Sequence, residues 1–280
     1  MRLKGHTTDL GEISKLWHKV NFLIPSALRV VVRNTGQFVH SRHLCSDDAL
    51  LISYPKSGST WFRSVFLTYL AGDVPIEELA SWIPPLHLAS SVGMTKPRIV
   101  RSHDSIDTPG FKRAKKKIAL VRDPRAVCVS YHHHQLRRGV ESTLEGSGRL
   151  LLSSGYWSLG SWQTHTQKIL DCRHEEDVLI LKYEDLLENP YEYFSAAVKH
   201  VGYELNEKLL IKAINLNIAS EMRKKRISSR FIAESEEDSD VGDPSVESRI
   251  IECPKDVRSM IEGRAKDQME YLNYKALEIS

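Results

Sequence analysis

The sequence predicts an α/β fold in three layers, with a central, mostly parallel sheet flanked by helices. Three observations point there. Apolar runs of strand length recur along the chain, helical stretches separate the later runs, and the first run ends in a glycine-containing loop that opens a helix.

From Ala49 the run A-L-L-I-S-Y stops at Pro55 and Gly58, as a buried strand running into a loop does. Trp61, Phe62, Val65, Phe66, Tyr69 and Leu70 then recur at helical spacing, and Ser59 and Thr60 suit the first turn of that helix. Further strands are expected over residues 98–101, 117–122 and 178–182. Pro124 is placed for the first turn of a helix running through Tyr131 toward Arg138, and another helix is expected over residues 157–170. In this order of elements, ligands gather at the carboxyl ends of the strands.

With 280 residues, 41% of them hydrophobic and 27% charged, the chain can bury one large core. The simplest organisation is a single domain over 1–280, with residues 1–45 as an N-terminal extension. The run E-S-E-E-D-S-D-V-G-D at 234–243 has Val241 as its only apolar residue and reads as a mobile surface loop, part of an expected lid over 223–250. Lys plus Arg number 39 against 36 acidic residues, so a net charge of +3 gives no general attraction to nucleic acid or an anionic membrane. Cys45, Cys128, Cys172 and Cys253 form no C-x-x-C pair, which suggests neither a zinc site nor a disulfide framework. The apolar stretch at 22–32 is broken by Pro25, Ser26 and Arg29 and falls short of the ~20 residues a membrane span needs. No secretory signal is evident in the first residues, and a cytoplasmic setting is expected.

Residues 54–61 read Y-P-K-S-G-S-T-W between the first strand and its helix. Backbone N–H groups of Ser57, Gly58, Ser59 and Thr60 at a helix start, with the ammonium of Lys56, suit a phosphate or sulfate. The nucleotide-hydrolase pattern G-x-x-x-x-G-K-[ST] is missing, because Lys56 precedes Gly58. The octet resembles the 5'-phosphosulfate loop of the cytosolic-type sulfotransferase family, Y-P-K-[SA]-G-[TN]-T-W, at every position but one. The resemblance continues through V-R-D-P-R-A-V-C-V-S-Y at 121–131, G-S-W-Q-T-H at 160–165 and K-Y-E-D-L-L-E-N-P at 182–190.

That resemblance implies a P-loop NTPase-like sulfotransferase fold and 3'-phosphoadenosine 5'-phosphosulfate (PAPS) as co-substrate, with PAP as product and no metal. It implies that Lys56, Ser57, Gly58, Ser59, Thr60 and Trp61 cradle the donor, that Arg122 and Ser130 hold its 3'-phosphate, and that Tyr183 contacts its adenine. R-S-H at 101–103 is similar to the family's Lys or Arg, Thr or Ser, then catalytic His, so His103 is implied as general base and Arg101 as a charge near the transferred group. An imidazole titrating near pH 6.5 suits that work. Trp162 and His165 read as core residues.

The family's downstream R-K-G-x-x-G-D-W is missing. At the nearest echo, V-G-D-P at 241–244, Glu237 and Asp238 stand where the cations belong. Either the alignment slips there, or the basic run Arg223, Lys224, Lys225, Arg226 and Arg230 supplies the clamp. The triplet His132, His133 and His134 cannot converge on one metal from a helix, because adjacent residues point about 100° apart. These residues are expected to line the acceptor side of the site or to pack beneath it, and residues 1–45 and 74–94 are expected to shape the acceptor pocket. A small-molecule acceptor is the expected partner, with no nucleic acid and no membrane, and a homodimer stays open. Two other readings also stay open: a nucleotide-binding module without chemistry, and a nucleotide-dependent kinase.

Overall fold

The computed structural model describes residues 41–72, 83–88, 98–153, 156, 159–175, 177–217 and 246–275. Four strands, β1 (Ala49–Ser53), β2 (Ile99–Ser102), β3 (Lys116–Val121) and β4 (Val178–Lys182), form one sheet in the order β2-β1-β3-β4, and every pairing is parallel. Alternate side chains feed two cores, as the period of a strand requires. Leu50, Ile52, Val100, Ala119 and Val121 face one core, while Ala49, Leu51, Ile99, Ile118, Leu120 and Leu181 face the other.

Helices cover both faces, giving the expected three layers. The first core packs against α2 (Pro124–Arg137), α3 (Leu144–Leu151) and α4 (Trp162–Asp171). The second packs against α1 (Ser59–Ala71) and two helices that follow α5 (Tyr183–Glu188), namely α6 (Pro190–Val201) and α7 (Glu207–Leu216). The chain continues through α8 (Val246–Glu252), α9 (Lys255–Arg264) and α10 (Lys266–Tyr271), and the last two return to the first core through Val257, Ile261 and Met269. Phe62 stacks on Phe66 at 4.7 Å and on Phe194 at 5.2 Å, which pins α1 to α6. Such ring pairs add about 0.5–1.5 kcal/mol each beyond burial.

Boundaries shift from those expected for identifiable reasons. Ser161 caps the helix expected from 157, its hydroxyl accepting from the Thr164 N–H, so α4 starts at Trp162. Arg98 lies outside β2 and binds the Asp48 carboxylate at 2.6 Å, and Arg122 leaves β3 to reach the next loop. Of the expected N-terminal extension, Leu44 enters the first core. Residues 1–40, Trp82, Trp157 and the 223–245 part of the lid, including Arg226, Arg230 and the acidic run, lie outside the described residues.

Strand order places the site. The chain moves from β1 to β2 on one side and from β3 to β4 on the other, so the topological switch lies between the carboxyl ends of β1 and β3.

Candidate active site

The loop at 54–58 fills that switch point. Lys56 and Gly58, on either side of Ser57, both have positive φ, 69° and 93°. Gly58 also caps α1, and no side chain caps that helix start. A Cβ at Gly58 would run into the Tyr183 ring, so the position needs glycine for space as well as for backbone angle. Lys56 is half-buried, and Ser57 is fully buried with its Oγ lacking a hydrogen-bond partner.

Arg122, one residue past β3, reaches back to this loop. Its Nη1 donates to the Lys56 carbonyl at 3.0 Å, and its guanidinium lies 4.3 Å over the Tyr183 ring. Its Nε is buried and also lacks a partner. An unpaired buried donor costs about 1–3 kcal/mol, so these two atoms leave hydrogen-bonding capacity open at one loop. Tyr183 meets Trp61 edge to face at 5.8 Å, and the indole N–H donates to the Asn217 carbonyl at 2.8 Å. Ser130 is buried two turns into α2, eight residues after Arg122. Of the residues expected to serve the donor, Lys56, Gly58, Trp61, Arg122 and Tyr183 come together in this way.

The base expected at 103 lies beside the loop, because β2 pairs with β1 in the register Leu51 with Arg101 and Ile52 with Ser102. His103 Nδ1 donates to the Ser53 carbonyl at 2.8 Å, and Ser53 Oγ lies 3.2 Å from the same nitrogen. Arg101 Nη1 sits 2.7 Å from His103 Nε2. Ser102 Oγ donates to Asp104 at 2.6 Å, tightening the turn, and His165 Nε2 donates to the His103 carbonyl at 3.2 Å. Complete burial lowers the His165 pKa to about 4, so this second histidine braces the first as a neutral group.

The sequence reading missed a polar brace behind these groups. Asp123 caps α2, accepting from the Arg125 N–H, and its carboxylate pairs with the Arg125 guanidinium at 2.7 Å. Arg125 also binds Glu262 at 2.6 Å and the Lys275 carbonyl at 2.9 Å. Glu184 accepts from the Asp123 N–H and from the Tyr274 hydroxyl, both at 3.0 Å, and burial raises its carboxyl above the ordinary range. The E of Y-E-D thus ties α5 to the start of α2. The only local signal was the D-P-R spacing.

His132, His133 and His134 do separate things. His132 Nδ1 meets Ser142 Oγ at 3.1 Å, His133 pairs with Glu252 and Arg249, and His134 is fully buried. Ser142 lines a groove of about 690 Å³ between α2 and α3, together with Tyr131, Gln135, Leu136 and Ser147. Part of the 74–94 segment is also placed: the Arg101 N–H donates to the Pro84 carbonyl at 2.9 Å, and Pro85 bridges Arg101. Among the described residues no group of three or more His, Cys, Asp or Glu could hold a metal, and no helix is long and apolar enough to cross a membrane.

Known proteins agree with this architecture. The sulfotransferase domain family matches residues 46–247. Dog (Canis lupus familiaris) sulfotransferase 1B1 is 27% identical over 203 residues, covering 65% of this chain and 68% of that protein. The crystal structure of mouse sulfotransferase SULT7A1 complexed with PAP superposes with a TM-score of 0.64 at 19% identity, covering 82% of this chain and 89% of that one. A retinol dehydratase in complex with androsterone and PAP gives the same TM-score at 17% identity, covering 85% and 83%. With a four-stranded parallel sheet, a phosphate loop at its switch point and a family match over most of its length, the chain belongs to the sulfotransferase domain family and is a sulfotransferase of class EC 2.8.2.

Proposed function

We propose that this protein transfers a sulfuryl group from PAPS to a hydroxyl or amine of a small-molecule acceptor, by in-line displacement with His103 as general base. One observation carries the donor half. The loop at the switch between β1 and β3 holds Ser57 and Arg122 with buried polar atoms that lack partners. PAP in two proteins of this fold supports the same reading.

In this reading the N–H groups of Ser57, Gly58, Ser59 and Thr60 and the ammonium of Lys56 hold the 5' end of the donor and stabilise charge on the departing phosphate. Arg122 and Ser130 take the 3'-phosphate, with Arg226 and Arg230 of the basic run completing the clamp. Tyr183 and Trp61 flank the adenine. His103 is suited to its role by tautomer: Nδ1 carries the proton given to Ser53, which leaves the lone pair on Nε2 to receive the acceptor's proton. Arg101 lends its charge to the sulfuryl oxygens. No metal is required, because positioning and electrostatics supply the rate. The acceptor approaches from the side of Pro84 and Pro85, which touch Arg101, and of the groove at Tyr131, next in the chain to Ser130. The androsterone bound in the retinol dehydratase structure agrees with a small acceptor. We read the chain as one cytoplasmic domain.

Incubation of the purified protein with PAPS and an acceptor library, read by mass spectrometry for the gain of one sulfuryl group, tests the reaction. PAP binding without transfer to any acceptor would favour a nucleotide-binding module, and turnover of magnesium ATP would favour a kinase. The variant His103→Ala should lose about 10²–10⁴-fold in turnover with PAP affinity unchanged. Lys56→Ala should lower both. Full activity in His103→Ala would overturn the base.

A further inference from the structure

Two contacts of the His103 ring, to the Ser53 carbonyl and to Arg101, fix its protonation. The Ser53 carbonyl can only accept, so Nδ1 carries hydrogen; the Arg101 guanidinium can only donate, so Nε2 offers its lone pair. That ring nitrogen has a single lone pair, and Arg101 occupies it at 2.7 Å. The proton of an acceptor needs the same lone pair. In this arrangement, therefore, the base is made and oriented but also capped.

The cap is held by the residue whose charge also suits the donor. Arg101 lies one residue before the end of β2, in register with Leu51 of β1 about 4.8 Å away by the spacing of neighbouring strands, and β1 runs into the phosphate loop. Its bond to His103 joins a cation to a neutral ring, whereas a bond from the same guanidinium to an anionic oxygen is charge-assisted on both sides and roughly twice as strong. An anionic sulfuryl group arriving at that loop outcompetes the imidazole for Arg101.

We infer that Arg101 is a positioning residue that caps His103 Nε2 until the sulfuryl group of the bound donor draws it away, so that the base is released only when a group to transfer is present. The device rests on the donor reading above. It predicts that the donor precedes the acceptor in productive binding, and that PAP, which lacks the sulfuryl group, leaves the cap closed. The product complex would then hold a base that is blocked again.

Nitrogen NMR of histidine-labelled full-length protein reads the cap directly, with the His103 signal assigned by its loss in His103→Gln. At one fixed pH, the Nε2 resonance of the free and PAP-bound protein should lie at the upfield position of a lone pair that accepts a strong hydrogen bond. PAPS should move it downfield, toward its position in Arg101→Met. An Nε2 signal that PAPS leaves in place, or that PAP alone moves as far, overturns the inference. Calorimetric titration with PAP separates this failure from that of the donor reading: with PAP bound and the cap unmoved only the inference falls, whereas without PAP binding the donor assignment falls and the cap has no trigger. The wild-type measurements stand whether or not Arg101→Met folds. Arg101→Lys adds a readout that a packing role would not move, because a shorter cation that draws off less completely should give an intermediate shift.

Discussion

Two arginines three residues apart, Arg122 and Arg125, show how a buried cation can serve a site or a scaffold. Both are almost inaccessible to solvent. Arg125 uses four of its five N–H donors: Nε and Nη2 bind Asp123, Nη1 binds Glu262, and Nη2 also reaches the Lys275 carbonyl. Arg122 makes one hydrogen bond to the Lys56 carbonyl, lies over the Tyr183 ring and keeps a buried Nε without a partner. Burial and residue type do not separate the two. Their partners do, since a buried charge neutralised by two carboxylates holds neighbouring elements in place while one bonded to a single carbonyl is ready to meet an anion.

The contrast can be broken by exchanging the effects of two substitutions. Arg125→Met leaves Asp123 buried without its cation and releases Glu262, and loss of one partner from such a pair costs about 3–5 kcal/mol of stability. Urea unfolding should show that loss. If Arg125→Met lowered PAP affinity at unchanged stability, the scaffold assignment would be wrong.

His103 and His165 sharpen the same contrast. Folding keeps His165 neutral, with its pKa lowered to about 4 by burial, while the unfolded chain takes up a proton near pH 6.5. The linkage then has a definite sign. The stability His165 contributes is full above about pH 6.5 and is lost as pH falls toward about 4, a change on the order of 3 kcal/mol. The unfolding free energy measured at about pH 7.5 and about pH 5 should drop more steeply in the wild type than in His165→Asn. Equal slopes would show that this ring is not held neutral.

The smallest of the three effects falls on binding. Arg122→Met should leave the unfolding midpoint close to the wild-type value and weaken PAP by about 1.5–3 kcal/mol, the range for a hydrogen bond to a charged group. Calorimetry checks it. A large stability loss with unchanged PAP affinity would place Arg122 in the scaffold beside Arg125.

What was legible in the sequence is what is contiguous in it. The octet at 54–61 carries strand end, anion loop and helix start in one stretch, and the alternation in each strand shows which side chains share a core. R-S-H at 101–103 named the histidine, but not that Ser53 and Arg101 fix its tautomer, because that depends on the register of β2 against β1. The brace was less legible still. Arg125 and Glu262 are 137 residues apart and Glu184 and Tyr274 are 90 apart, and no local pattern predicts a pair across that distance. The helix expected from 157 starts at Trp162, where the Ser161 hydroxyl caps it.

A crystal structure with PAP tests the central claim most directly. The account predicts the 5'-phosphate on the N–H groups of Ser57 to Thr60 beside Lys56, and the 3'-phosphate bonded by Arg122 and Ser130. PAP bound away from that turn, with Arg122 still directed only at the Lys56 carbonyl, would contradict it.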